Sequence, residues 1–106
     1  MIDTYCVKLT YEAKRMLRKI SKKYGKHTYE MLRDLINRLE SNPEKQGQPL
    51  CGILNGYYSL HYSRFRIIYR IHKDKLEVIV IGAGFHESKS RKDIYTLIER
   101  LIESSD

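Results

Sequence analysis

At 106 residues the chain is long enough for one hydrophobic core and too short for two, so a single domain over residues 1–106 is expected. With 42% hydrophobic and 31% charged residues and no low-complexity tract, the composition excludes an intrinsically disordered chain. Twenty Lys and Arg against thirteen Asp and Glu give a formal charge of +7, which favours an anionic partner without saying which anion.

Residues 2–9, IDTYCVKL, are rich in β-branched and aromatic types. Tyr5, Val7 and Leu9 share one parity and Lys8 takes the other, which predicts a one-sided first strand. Thr10 then offers an N-cap, and Ala13, Met16, Leu17, Ile20 and Tyr24 fall on one helical stripe that Gly25 ends. The opposite face carries Lys14, Arg15, Arg18, Lys19, Lys22 and Lys23. A second helix, with Thr28 as its cap, is expected to bury Met31, Leu32, Leu35, Ile36 and Leu39 and to stop at SNP, 41–43. Two helices so closely joined form an antiparallel hairpin.

NPEKQGQPLCGILNG, 42–56, holds both prolines and three of the six glycines and is expected to be a connector, with a strand-like piece at 50–54. Three strands follow, at 57–62, 65–72 and 76–81, the last two joined by a tight turn at HKDK, 72–75. VIVIG, 78–82, is apolar at both parities, as suits a central strand covered on both faces. The last helix is expected from about Ser90, with Asp93 as a capping-box acid, through Ile94, Leu97, Ile98 and Leu101. The order β-α-α-β-β-β-α predicts an α+β fold: an antiparallel-dominated sheet with an N-terminal helical hairpin packed on one face and a C-terminal helix.

No stretch has the apolar length of a membrane span, and the N-terminus lacks the basic-then-apolar layout of a signal peptide, so a cytoplasmic location without membrane contact is expected. Cys6 and Cys51 are far apart and have no His neighbours that would build a metal cluster. They read as a small strand residue and a loop residue, and neither a metal nor a cofactor is expected. A disulfide between them is disfavoured by the inferred compartment.

One segment points beyond a small basic domain. In SRFRIIYRI, 63–71, strand alternation turns Phe65, Ile67, Tyr69 and Ile71 to one face and Arg64, Arg66, Ile68 and Arg70 to the other. The odd set is expected under the helices, and the even set to form a positively charged concavity. Arginines on a solvated sheet face, paired with acids across the strands, are the plainer account. The next segment weighs against it: GAGFHESKSRKDIY, 82–95, is expected to be a loop that brings His86, Tyr95, Lys89, Arg91 and Lys92 toward the arginine face. An imidazole among glycines and cations is a candidate acid or base.

The stretch YYSLHYSRFRIIYRIHKDKLEVIVIGAGFHESKSRKDIYTLIERL, 57–101, resembles the RelE/ParE superfamily of bacterial and archaeal toxins, the RelE branch in particular. FRIIYRI, VIVIG and DIY are its most specific parts, and with the first strand and hairpin it covers nearly the whole chain. The resemblance implies a toxin of a type II toxin–antitoxin system, neutralised by a cognate antitoxin and reaching operator DNA only through it. In the RelE branch such a toxin cuts mRNA in the ribosomal A site without a metal, with mRNA and rRNA as its partners. The ParE branch implies instead a DNA gyrase inhibitor with no chemistry of its own.

In a cleavage of this kind a 2′-hydroxyl attacks the adjacent phosphate, so the site needs a base, an acid and cations. The resemblance assigns the phosphate to Arg66, stacking or proton transfer to Tyr95, and the general acid to His86, where many relatives carry arginine. Lysines that some relatives place at 57 and 59 are Tyr57 and Ser59 here; His61 can supply the base instead, or Arg64 add charge. Plainer accounts stand beside these: His61 as a sheet-face residue, Tyr95 as part of the last helix's packing, His72 as a turn residue. Arg64, Arg70, Lys89, Arg91 and Lys92 are the expected RNA-binding set. The cations of the first helix, a solvated face on the plainer account, would in such a toxin dock on rRNA phosphates.

Overall fold

The protein's structure is a computed structural model that describes residues 4–104. The start of the predicted first strand, residues 2 and 3, lies outside the described residues. Strand β1 (Cys6–Leu9) exposes Cys6 and Lys8 and half-buries Val7 and Leu9, the one-sidedness its alternation predicts. Thr10 closes the first turn of α1 (Tyr11–Tyr24): the Ala13 N–H donates to Thr10 Oγ1 at 3.1 Å. Ala13, Leu17 and Ile20 are buried.

Helix α2 (Lys26–Asn37) starts directly after Gly25, two residues before the expected Thr28 cap. Thr28 Oγ1 donates instead to the Tyr24 carbonyl at 3.4 Å, reaching back across Gly25 from the first turn of α2 to the last residue of α1. Leu32, Ile36 and Leu39 are buried and Met31 and Leu35 half-buried, so the predicted apolar side of α2 does face inward.

The connector is more ordered than its prolines and glycines suggest. It forms a short helix α3 (Pro43–Gln46), strand β2 (Gln48–Pro49) and a 3₁₀ turn (Gly52–Leu54), so the strand expected at 50–54 lies earlier. The cause is tertiary. Tyr69, fully buried in the middle of the sheet, donates its hydroxyl to the Pro43 carbonyl at 2.6 Å. Gly47 lies so close to that phenol that an added Cβ would overlap its oxygen and sit 2.9 Å from the Ser59 carbonyl. Burial pushes the Tyr69 hydroxyl up to about 12, so it stays a donor.

Strands β3 (Tyr57–Tyr62) and β4 (Phe65–His72) have the predicted bounds, and β5 (Glu77–Phe85) runs four residues past its predicted end. Gly82, Ala83 and Gly84 continue the ladder opposite Ile68, Ile67 and Arg66 instead of starting a loop. The sheet order is β1-β5-β4-β3-β2; β1 pairs with β5 in parallel and the other neighbours are antiparallel. A bulge interrupts β5: Tyr69 stands opposite Val80 and Ile68 opposite Gly82, leaving Ile81 as an extra residue. Val78 and Val80, and beyond the bulge Ala83 and Phe85, therefore pack toward the helical hairpin, where Leu17, Leu32, Ile36, Ile67 and Tyr69 make the main core.

Helix α4 (Ile94–Ser104) begins four residues later than expected, because Ser88–Lys92 fold into two turns and the Asp93 carboxylate is engaged elsewhere. It covers the other face of the sheet, where Ile94 and Ile98 pack with Ile68 and Leu54. The even-numbered face of β4 is thus no open concavity along its length: α4 occupies its middle. Helix and sheet approach closely because Gly82 and Gly84 lie beneath the helix. A Cβ on Gly82 would overlap Ile98 Cδ1 and sit 3.2 Å from Met16 Sδ. With Ile98 fully buried there is little room to yield, so Gly82→Ala is expected to destabilise by about 1–3 kcal/mol. A thermal melt reads this directly; an unchanged midpoint would mean that α4 can slide.

Among the described residues no helix is long and apolar enough to cross a membrane. Cys6 and Cys51 are both exposed and unbonded to one another.

Candidate active site

The end of the α4 face that the helix leaves uncovered gathers polar side chains from β3, β4 and the residue that follows β5. His61 of β3 stands directly opposite Arg66 of β4, and Arg66 opposite Gly84 of β5. Alternation turns all three toward the α4 side, with His86 two residues beyond Gly84 on that same side. Tyr95, in the first turn of α4, completes the group: its ring meets the His86 imidazole edge-on at 5.2 Å between centroids.

Arg66 is fixed but not neutralised. Its Nη1 donates to the carbonyls of Ser63 (3.0 Å) and Phe65 (2.9 Å), and no carboxylate of the described residues pairs with it. Its Nε is buried without a hydrogen-bond partner. An unmet buried donor of this kind costs on the order of 1–3 kcal/mol, which an anion at the Nε–Nη2 edge would recover.

His61 is held below the ordinary imidazole range. Loss of water around the ring is the first cause, although much of the residue stays accessible, and the nearby charges of Arg66 and His86 add to it. The ring is therefore neutral at neutral pH and able to take a proton.

His86 is oriented by a carboxylate. Its Nδ1–H donates to Asp93 Oδ1 at 2.7 Å, the same oxygen that accepts the Glu87 N–H at 2.7 Å. Asp93 is only 6% exposed, and holding Nδ1 in this way directs Nε2 outward. Tyr95 is tied in turn: its hydroxyl and Ser59 Oγ are hydrogen-bonded at 2.9 Å, and Ser59 is 1% exposed.

Sequence reasoning missed Asp93 and Ser59 as members of this group. Asp93 had a sufficient local account as a helix-capping acid, and its approach to His86 depends on the turns between them. Ser59 carried a signal of its own, since it shares the parity of His61 on the same strand.

The remaining expected residues are placed as follows. Arg64 is exposed but lies in the turn before β4, off the face of Arg66 that strand alternation predicts for it. Its guanidinium carbon is 4.9 Å from the centre of the Phe85 ring on the hairpin side, and its Nη2 donates to the His86 carbonyl at 3.3 Å. Lys89, Arg91 and Lys92 are exposed on the turns leading to Asp93. Arg70 does not join them: it stands opposite Tyr57 and Ile79, about 13 Å along β4 from Arg66 at the usual strand rise. On α1, Lys14, Arg18, Lys19, Lys22 and Lys23 are exposed, whereas Arg15 is paired with Glu12 at 2.6 Å. Lys14 and Arg18, with Arg33 and Tyr29 of α2, line a crease of 280 Å³. A cavity of 480 Å³ between α1 and α4, lined by Met16, Ile20, Leu97 and Leu101, includes none of the grouped polar residues.

A neutral imidazole, a second imidazole backed by a carboxylate, a phenol and a guanidinium that meets no carboxylate among the described residues can together move two protons around an anion. Comparison with known proteins adds a family. The profile described as "ParE toxin of type II toxin-antitoxin system, parDE" matches residues 7–86. No curated protein matches by sequence. Among solved structures, the RelBE2 toxin–antitoxin complex from Mycobacterium tuberculosis is similar at 24% identity and a TM-score of 0.69, over 78% of this chain and 92% of that one. A double mutant of E. coli RelE in the free state gives 20% and 0.70, over 94% and 97% of the two chains. The archaeal RelE–RelB complex from Pyrococcus horikoshii gives 17% and 0.62, over 82% and 99%. These likenesses show a shared fold, the α+β arrangement of hairpin, sheet and C-terminal helix described above.

Proposed function

The chain belongs to the ParE toxin family of type II toxin–antitoxin systems, and from that premise we propose that it is a ribosome-dependent, metal-independent endoribonuclease that cuts mRNA in the A site and so stops translation. The observation that carries this is the grouping of His61, His86 and Tyr95 around the Arg66 guanidinium, which has no acidic partner among the described residues. A gyrase inhibitor has no need of two imidazoles beside an arginine.

The chemistry balances with these residues alone. Neutral His61 takes the proton of the 2′-hydroxyl as its oxygen bonds to the adjacent phosphorus. Arg66 holds the phosphate oxygens as charge builds on them. His86, steadied by Asp93, gives a proton to the departing 5′-oxygen as the P–O bond breaks. Tyr95, held by Ser59, stacks on a base or relays a proton. Lys89, Arg91 and Lys92 attract the strand on either side.

Asp93→Asn is expected to reduce single-turnover cleavage on mRNA-programmed ribosomes by about tenfold or more, within the 10²–10⁴-fold, roughly, that a positioned acid supplies. Full activity in that variant would take Asp93 out of the mechanism.

The family profile itself favours the second candidate, a ParE-like gyrase inhibitor without catalysis. Primer extension on mRNA after induction, run beside a supercoiling assay, separates the two. Site-specific cuts that vanish in Arg66→Ala and His86→Ala support the nuclease; intact mRNA with blocked supercoiling supports the inhibitor.

The 106 residues act as one unit in the cytoplasm, where the ribosome is. Their neutralising partner is an antitoxin encoded in an adjacent reading frame, with an acidic arm that covers the hairpin or the sheet-face cations. Operator DNA is reached only through that partner.

A further inference from the structure

Resting on the nuclease reading above, we infer a second activity of the same group: the protein also hydrolyses the 2′,3′-cyclic phosphate that strand cleavage leaves, so that the upstream fragment ends in a 3′-phosphate. The inference stands on where the two imidazoles lie. Arg66 is on the middle strand of three, with His61 directly opposite it on β3 and Gly84 directly opposite it on β5, two residues before His86. His61 and His86 therefore start from backbones on the order of 12 Å apart, on either side of the strand that carries the guanidinium. The charges of Arg66 and His86 are both felt at the His61 ring, so the three groups can face one anion.

A phosphorus atom held between two imidazoles can be attacked from one side and can expel an oxygen toward the other, and one pair serves both directions by exchanging roles. After cleavage His61 carries the proton of the 2′-hydroxyl, and His86 has given its own to the 5′-oxygen. Water takes the place of the departed 5′-oxygen. His86 Nε2 then takes a proton from that water as its oxygen bonds to phosphorus. The bond from phosphorus to the 2′-oxygen breaks, and His61 returns its proton to that oxygen. Water has supplied a hydroxyl to phosphorus and a proton to His86, so both rings end as they began and no other reactant is needed. Each ring suits its second role. Asp93 Oδ1, 2.7 Å from Nδ1, faces the charge that His86 acquires when it takes the proton. His61 meets no carboxylate among the described residues. Desolvation, and then the charges of Arg66 and His86, disfavour its cation, so it gives the proton up readily. His61 is exposed and His86 half-buried, which lets water in.

The test reads the 3′ end. Ribosomes programmed with a 5′-labelled mRNA are mixed with the protein in heavy-oxygen water, and the upstream fragment is followed by mass spectrometry. The cyclic phosphate should appear first and turn into a 3′-phosphate that carries one heavy oxygen. A second arm offers ribosomes programmed with a message made to end in a 2′,3′-cyclic phosphate at the A site, which needs no prior cut. There the wild type should open the ring. His61→Asn, a change to an exposed side chain, and His86→Asn, checked for folding by circular dichroism, should each slow the opening by about 10²-fold or more. Ends that stay cyclic in both arms overturn the second activity, and with the message cut they leave the nuclease standing. Ring opening in the second arm with intact message left uncut keeps the second activity and defeats the nuclease. Opening at the wild-type rate in both variants takes the two histidines out of the step and overturns the inference.

Discussion

Replacing Arg66 by alanine is expected to slow mRNA cleavage on ribosomes by about 10²–10³-fold, the usual loss when a group stabilising transition-state charge is removed. The expectation follows from how the residue is held. Two backbone carbonyls fix Nη1, no carboxylate of the described residues shares the charge, and the register sets it directly opposite His61. Arg66→Lys should recover little, because an ammonium ion can neither occupy both carbonyls nor present two parallel donors.

The same substitution carries a pH signature. His61 must be neutral to accept a proton, so activity falls as pH drops through its pKa. That pKa lies below the ordinary value of 6.5, through desolvation first and then the charges of Arg66 and His86. The acid limb of kcat/KM should accordingly sit below the ordinary histidine range in the wild type. In Arg66→Ala one cause disappears while desolvation persists, so the limb should move upward in the residual activity. An acid limb that stays where it was would show that His61 is not the base.

Reversing four charges on α1, with Lys14, Arg15, Arg18 and Lys19 all changed to Glu, should abolish activity on ribosomes and leave the fold intact. Each phosphate that no longer meets a cation flattens the dependence of log affinity on log salt by about 0.7–0.9, so the slope should drop by about 3–4 if all four dock. Stability should change little: exposed charges contribute a few tenths of a kcal/mol each, roughly, and Arg15→Glu adds only a like-charge pair with Glu12. Arg15 is also the least available of the four, being paired already. Lys14 and Arg18 open with Arg33 onto a shared crease, so reversing those three should weaken ribosome co-sedimentation more than reversing Arg15 and Lys19. Full activity of the fourfold variant would remove α1 from the docking surface.

The parts of the fold that were legible in the sequence were those set by local alternation and caps. Strands β3 and β4 have the expected bounds because their periodicity is uninterrupted, and α1 starts at Thr10 and ends at Gly25 as expected. Misplaced boundaries have tertiary causes. Gly82 and Gly84 looked like loop residues, yet they are strand residues whose missing side chains admit α4. Pro49 and Gly47 looked like pure connector, yet the connector is pinned from beneath by Tyr69. In the site, the resemblance named both His61 and Arg66 and the β3–β4 register puts them on a common face, while Asp93 and Ser59 meet their partners across 7 and 36 residues of chain. No pattern within one element could have revealed those pairings. Arg70 shows the opposite limit: parity grouped it with Arg66, and distance along the strand separates them.

The unpaired Ile81 makes β5 two strands in tandem, each with its own reading frame. The first frame, Glu77 to Val80, is set by β1 on one side and β4 on the other; the second, Gly82 to Phe85, is set by β4 alone and ends at His86. Because the ladder already skips Ile81, a chain shortened by that residue would keep every partner and every facing, His86 included. A chain shortened by one residue between Gly82 and Phe85 would keep the imidazole beside Arg66 only by drawing Ile81 into the ladder opposite Ile68, the place of Gly82, where any side chain meets Ile98.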